Sequence, residues 1–223
     1  MYLYCHREAD QLCNRIRWTS RAVGALPPVA PPWFNFAPMD SSFESLRGHL
    51  LIASPALIDP SFRRTVVLVT EHTEEGAMGV VLNRASPVAV ADAVPHLAQL
   101  AEDGACIHVG GPVQPEAVVA LAELDDASDS AAIALGDIGY LRADADPAEL
   151  AGGVRRLRVF AGYAGWGGGQ LEGELEESAW IVEPAEPDDV FTPDPDGLWS
   201  TVLRRKGGPF AVLATMPPDP SQN

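Results

Sequence analysis

Apolar and β-branched residues run together early in the chain, in stretches separated by polar turns. Leu46–Ala53 predicts a strand that ends at Pro55, and the run Thr65–His72 predicts a second strand. Because the second run is almost continuously apolar, we expect it to be buried on both faces. Turn residues 73–76 lead into a further apolar stretch, 76–83, so the pattern predicts an antiparallel hairpin.

Helical spacing follows the hairpin. Apolar positions in residues 88–101 recur every three or four residues, and Pro95 makes this helix begin late or kink. Residues 146–149 combine an N-cap, a proline and a glutamate, which predicts the start of a short helix. Two more helices are predicted, one around Leu171 and a last one capped by Asp196. Further strands are predicted at Cys106–Val109, Ala117–Leu124, Ala131–Leu135, Leu157–Ala161 (near a sheet edge) and Pro209–Ala214.

This order of elements favours one fold class. Strands follow one another in hairpin succession, helices lie between some of them, and a regular βαβ alternation is absent. The pattern therefore predicts an α+β domain with a mixed sheet rather than a doubly wound parallel sheet. With 223 residues, of which 47% are apolar, the chain has enough material for one compact domain. No apolar run approaches the roughly 20 residues that span a bilayer, so we expect no membrane association.

The first 38 residues differ from the rest of the chain. They carry four arginines and two acidic residues, whereas residues 39–223 carry 11 basic and 29 acidic residues. They end in a proline cluster, which favours extended backbone. We interpret residues 1–38 as a disordered tail or as the result of a start codon assigned too early, with Met39 as the true start. Residues 39–223 form the expected domain.

A glycine-rich turn is the most suggestive chemical motif. The segment around Gly165–Gln170 runs from a strand into a helix, a geometry in which free backbone N–H groups bind anions. Glu172 and Glu174 in the first helical turns would repel a phosphate, so a tight connection is the alternative interpretation. Glu71 and His72 end a buried strand, which is a position where catalytic groups are often placed.

Other chemistry finds less support in the residue pattern. Cys106 and His108 lie two apart in a predicted strand and share a face, so they could act as nucleophile and base or simply pack in the core. The histidines have no metal-binding spacing, and no cofactor motif is present, so we expect neither a metal nor a cofactor. The net charge of −16 disfavours direct nucleic acid binding, because phosphate contacts supply much of that affinity.

Four segments together resemble the AlgH/YqgE family of bacterial proteins. They are GHLLIASPALIDPSFRRTVVLVTEH, GAMGVVLNR, HVGGPV and GYAGWGGGQLEGEL, and they occur in that family's order. The resemblance implies a single compact α+β domain with a bulged mixed β-sheet partly folded on itself and flanked by helices. It also implies a cytoplasmic location. It implies no reaction, although some members are described as regulators of transcription.

Two functions remain open at this point. The first is a non-enzymatic regulatory module that acts indirectly on transcription by binding a small ligand or a protein partner. The second is an enzyme of unknown reaction that uses Glu71, His72 and the Gly165–Gln170 turn. The family-like polar and aromatic residues are predicted to gather near the loop ends of the central strands as a ligand site. These residues are Arg63, Arg64, Glu71, His72, Asn83, Tyr163, Trp166 and Gln170.

Overall fold

A computed structural model describes residues 44–142, 146–150 and 152–217. The predicted tail, 1–38, therefore lies outside the described residues. In the described ranges the chain forms ten strands and six α-helices. The strands are β1 (His49–Ala53), β2 (Val66–Thr73), β3 (Gly76–Val81), β4 (Ala85–Ala89), β5 (Cys106–Val109), β6 (Val113–Leu124), β7 (Ser130–Leu135), β8 (Ile138–Leu141), β9 (Val154–Gly167) and β10 (Trp180–Pro184). The helices are α1 (Val90–Ala93), α2 (Pro147–Leu150), α3 (Gln170–Glu176), α4 (Pro187–Val190), α5 (Pro195–Lys206) and α6 (Pro209–Leu213).

The strands form one curled, largely antiparallel sheet with several flanking helices. The main strand order is β10-β1-β2-β3-β9-β6-β8-β7, and β4 and β5 attach beside β9. Only the β5–β9 pair among the described pairs is parallel, so the sheet is mixed. β-Bulges interrupt several ladders, including the one between β2 and β3. The predicted α+β class and the bulged mixed sheet are confirmed.

The strand β2 lies in the middle of the sheet, where both faces are covered. Its residues Val66, Val67, Leu68 and Val69 have no solvent exposure. Because side chains alternate along a strand, Val66 and Leu68 enter the core below α5, whereas Val67 and Val69 enter the core below α3. The expectation of a strand buried on both faces is therefore confirmed, as is its hairpin with β3.

The long strand β9 organises the sheet, and our prediction that this segment lies near an edge is wrong. Its first half pairs with β6 and its second half with β3, while β5 joins it in parallel. The alternation of arginines with apolar residues suggested an edge. Arginines are tolerated on this central strand because Arg155 and Arg156 form ion pairs with neighbouring carboxylates.

Three other predictions from the pattern need correction. The segment from Pro209 forms helix α6 rather than a strand, because a proline at the first helical position follows two glycines with positive φ. The last long helix, α5, is capped by Asp194 rather than Asp196, and the Asp194 side chain accepts a hydrogen bond from the Gly197 N–H. The predicted helix over 88–101 divides into strand β4, α1 and a 3₁₀ segment that begins at Pro95.

The alternating patterns missed strands β8 and β10 and the early start of β6. No helix in the described part of the chain has the length and apolar composition needed to cross a membrane.

Candidate functional site

Arg63, Arg64 and Asn83 lie where the chain enters β2 and leaves β3. The Asn83 side chain joins these two segments: its Oδ1 accepts a hydrogen bond from the Val66 N–H at 2.9 Å, and its Nδ2 donates to the Arg64 carbonyl at 2.8 Å. Arg64 has a φ of +56°, a conformation that such backbone contacts help to hold. Asn83 therefore has both ends of its amide occupied by the fold.

Three arginine side chains gather at this end of the sheet. The Arg64 guanidinium stacks over the Trp199 ring at 3.9 Å and donates to the Met216 carbonyl, while Arg84 donates to the Pro60 carbonyl. Burial, followed by the charge of Arg63, lowers the pKa of both Arg64 and Arg84. We call Arg63, Arg64 and Arg84 the arginine cluster.

The arginine cluster lacks the ion pairs that several other cationic groups form. Within residues 44–142, 146–150 and 152–217, no carboxylate lies at ion-pair distance from its three guanidinium groups. Asp59 is near enough only to oppose the lowering of the Arg84 pKa. By contrast, Arg155, Arg156 and Arg205 each have carboxylate partners. The cluster is therefore a positive region without ion pairs, among the described residues, on an acidic chain.

Glu71 and His72 point to opposite faces of the sheet. Glu71 lies opposite Met78, which belongs to the core below α5, whereas His72 lies opposite Ala77, which belongs to the core below α3. Glu71 Oε2 is buried without a hydrogen-bond partner among the described residues, and burial raises the pKa of this carboxyl. The two neighbours therefore do not form the paired acid and base that their sequence suggested.

Both ring nitrogens of His72 are used inside the fold. Nδ1 accepts a hydrogen bond from the Leu46 N–H at 3.0 Å, and Nε2 lies 2.8 Å from Glu172 Oε1. Since Nδ1 is the acceptor, Nε2 carries the proton that is donated to the carboxylate. The ring thus connects the segment before β1 to the first turn of α3, so the role of His72 in the fold is structural.

Trp166 and Gln170 belong to a network centred on Glu174. Oε2 of Glu174 accepts hydrogen bonds from the indole N–H of Trp166 at 2.9 Å and of Trp180 at 2.7 Å. Gln170 Nε2 donates to the other oxygen at 3.0 Å. The ring of Phe62 packs against both tryptophans, with centroid distances of 6.3 and 5.6 Å. One carboxylate therefore satisfies two buried indoles and fixes α3 on the sheet.

The glycine-rich turn is occupied by the chain itself. The Gly167 N–H donates to Gln170 Oε1 at 3.1 Å, and Gly169 takes a φ of +74° at the helix start. A Cβ on Gly168 would lie 2.9 Å from the Glu74 carbonyl, so glycine lets the turn approach the β2–β3 hairpin. These roles agree with the interpretation of a tight connection.

The eight predicted site residues do not form one cluster. Arg63, Arg64 and Asn83 lie together at one end of β2, while Trp166 and Gln170 share the Glu174 network. His72 lies on the same face as Trp166 but pairs with Glu172. Tyr163 is buried in the core below α5, on the other side of the sheet from Trp166. Whether any of them binds a ligand stays a prediction.

His108 and Arg158 are neighbours in the structure, and the sequence pattern did not connect them. His108 is 6% exposed, and neither ring nitrogen has a hydrogen-bond partner among the described residues. Burial, then the charge of Arg158, lowers the pKa of His108 to about 4, and a contact with the Cys106 backbone opposes this lowering. The Cys106–His108 alternation was the signal, but it gave no reason to include Arg158.

In the part of the chain that the structure covers, no three His, Cys, Asp or Glu side chains are arranged to hold a metal ion.

Comparison with known proteins places the chain among bacterial relatives. A UPF0301 protein of Streptomyces coelicolor is 48% identical over 185 residues, covering 80% of this chain and 96% of its own. A UPF0301 protein of Thermobifida fusca is 44% identical over 191 residues, covering 80% of this chain and 96% of its own.

Two solved structures share the fold. The crystal structure of a Corynebacterium diphtheriae protein has a TM-score of 0.72 at 32% identity and covers 79% of this chain and 95% of its own. The solution structure of AlgH from Pseudomonas aeruginosa has a TM-score of 0.61 at 32% identity and covers 81% of this chain and 99% of its own. A family model described as AlgH-like (DUF179) matches residues 50–211. The chain therefore belongs to the AlgH-like family.

Proposed function

We propose that the protein is a non-enzymatic regulatory module of the cytoplasm that alters transcription indirectly, by binding an acidic segment of a partner protein at the arginine cluster. The observation that carries this proposal is the lack of ion pairs around Arg63, Arg64 and Arg84 in the described residues. A chain with a net charge of −16 has carboxylates in excess, yet in the described residues none of them lies at ion-pair distance from these three guanidinium groups. An acidic partner would supply the missing charges.

Exposed apolar side chains near the cluster support a protein as the occupant. Ile58 is 80% exposed and Met216 44%. Arg64 donates to the Met216 carbonyl, and Arg84 donates to Pro60, two residues after Ile58. Arginine beside apolar side chains is the composition of interface cores rather than of ordinary surface. A small inorganic anion would use the charges but leave these apolar groups in water.

The alternative of an enzyme receives less support from the geometry. His72 has both nitrogens engaged, and Glu71 extends from the opposite face of the sheet. The turn N–H of Gly167 is already bonded to Gln170. General acid–base chemistry requires a base, a carboxylate and an anion-binding turn to lie around one reacting group. Here they do not.

The test combines partner capture with a transcriptional readout, using the full chain. A deletion strain of the source bacterium is complemented with the wild-type protein, Arg63→Gln, Ile58→Gln or the control Arg155→Gln. Arg155 lies on β9 away from the cluster, and its surface ion pairs contribute little to stability. Arg63→Gln and Arg155→Gln therefore remove the same charge from different places.

We expect the wild type and Arg155→Gln to restore the transcript profile and to capture the same partner. Arg63→Gln and Ile58→Gln should lose that partner and leave the profile uncorrected, although both remain folded. Raising the salt concentration should weaken capture, because exposed charges are screened. If Arg63→Gln and Ile58→Gln capture and complement as the wild type does, the arginine cluster is not the binding surface and the proposal fails.

A further inference from the structure

The face of the sheet formed by β5 and β9 contains two polar side chains, His108 and Arg158, with buried nitrogens that have no hydrogen-bond partner among the described residues. His108 lies opposite Phe160 in the parallel ladder, so Arg158, two residues earlier on β9, is its diagonal neighbour on the same face. The His108 and Phe160 rings are 5.8 Å apart, which confirms that they share this face. Arg158 is close enough for its charge to act on His108.

The Arg158 guanidinium is held in position by one of its nitrogens. Nη2 donates to the Thr192 carbonyl at 2.7 Å, whereas Nη1 is buried and has no hydrogen-bond partner in the described ranges. No carboxylate there lies at ion-pair distance; Glu102 acts on Arg158 only from further away. Burial lowers the pKa of Arg158 to about 10, a value at which the group is still charged at neutral pH.

Buried nitrogens without hydrogen-bond partners lower the stability of the fold unless a bound molecule supplies the acceptors. Buried polar groups in native proteins nearly always have partners, and a buried unpaired charge is more costly than a buried neutral group. Here Nη1 of Arg158 and both ring nitrogens of His108 lie on one face, and within the described part of the chain none of the three has a hydrogen-bond partner. A water molecule would accept hydrogen bonds but would leave the guanidinium without an ion-pair partner, whereas an oxyanion would supply both hydrogen-bond acceptors and a negative charge.

We propose that His108 and Arg158 form a binding site for a small free carboxylate. Nη1 of Arg158 donates to one carboxylate oxygen, and a ring N–H of His108 donates to the other. The site has one permanent positive charge, which matches a singly charged anion, and the nearby negative charge of Glu102 disfavours a doubly charged phosphate. This site is separate from the arginine cluster, so the inference does not depend on the proposed function.

The experiment measures the thermal stability of the full chain at pH 7 in acetate, inorganic phosphate or chloride at matched ionic strength. For the wild type, acetate at ten times its dissociation constant should raise Tm by about 3 °C over chloride. Arg158→Gln and His108→Leu should lose this increment. Arg155→Gln, which removes the same charge from the same strand, should keep it.

A second readout locates the binding. In ¹⁵N-edited NMR spectra of the histidine rings, acetate should shift the signal of His108, identified by its absence in His108→Leu, and leave that of His72 in place. A response to phosphate as well as acetate would support the site as a general oxyanion site, with less selectivity than we propose. The inference fails if acetate gives no increment over chloride, if Arg158→Gln keeps the increment, or if only water occupies the site and the His108 signal does not move.

Discussion

The end of β2 around His72 and the face of β5 and β9 around His108 differ in how their polar atoms are used. Both histidines are buried in the same sheet. His72 accepts from the Leu46 N–H and donates to Glu172, and Glu174 nearby accepts from two indoles. His108 has no such partner in the described residues, and the adjacent Arg158 uses one nitrogen only.

This difference in hydrogen bonding distinguishes polar groups that stabilise the fold from polar groups that we propose bind a ligand. A buried polar atom whose partners are supplied by the fold contributes to stability, whereas one without partners lowers it. The region around His72 therefore holds α3 and the segment before β1 on the sheet. The region around His108 reduces stability in the absence of a ligand, a cost that is typical of binding sites. Substitutions in the two regions should act in opposite directions.

The largest effect is expected for Glu174→Ala. The substitution leaves the buried indole N–H groups of Trp166 and Trp180 without an acceptor, so the free energy of unfolding should fall by about 3 kcal/mol. Urea denaturation measures this loss. Glu176→Ala, an exposed position on the same helix, is the control and should change stability by less than about 0.5 kcal/mol. Equal losses in the two variants would contradict the structural role of Glu174.

The next largest effect is expected for His72→Leu. The leucine fills space but leaves the Leu46 N–H and one oxygen of Glu172 without their partner, which should cost about 2 kcal/mol of unfolding free energy. His96→Leu, at an exposed position, should change stability by less than about 0.5 kcal/mol by the same measurement. A neutral or stabilising His72→Leu would show that the ring is not a structural link.

The pH dependence of stability should distinguish His108. Its folded pKa of about 4 lies below the ordinary 6.5, so the unfolded state binds more protons between these values and stability falls as the pH falls through 6.5. Between pH 7 and pH 5 this costs the wild type about 2 kcal/mol. His108→Leu removes the cost, so its advantage over the wild type should widen on acidification. Parallel stability curves would contradict this.

The smallest effect is expected for His108→Leu at pH 7 without added anion. An apolar side chain removes the two ring nitrogens that have no partner in the described ranges, so the free energy of unfolding should rise by about 1 kcal/mol. Urea denaturation in chloride buffer provides the measurement. A loss of stability comparable to that of His72→Leu would mean that the two histidines have similar roles, and the comparison would no longer hold.

Local patterns gave much of the fold, and the failures have identifiable causes. The hairpin of β2 and β3 was predictable because its apolar runs and turn residues are adjacent in sequence. Strand β9 was misplaced at an edge because ion pairs formed by distant carboxylates decide where its arginines are tolerated. Segment 209–213 was assigned to a strand from its apolar residues, although the preceding glycines and Pro209 start a helix.

The candidate sites depended more strongly on tertiary contacts. The sequence identified Arg63, Arg64, Glu71, His72 and Gln170 as chemically notable residues, but it could not show which of them the fold already satisfies. Glu71 and His72 are neighbours in sequence, and the pleat of the strand directs them to opposite cores. Arg158 and His108 are 50 positions apart in the numbering, and only the parallel pairing of β5 and β9 makes them neighbours.

By itself, the sequence determined the family, the α+β class and the central strands, because runs of apolar residues, turns and caps depend on nearby positions. Tertiary structure decided which polar groups are occupied, since each partner comes from a different segment: Leu46 and Glu172 for His72, Met216 for Arg64, Thr192 for Arg158. A hydrogen bond requires two groups at about 3 Å, and no local pattern specifies that distance between remote residues.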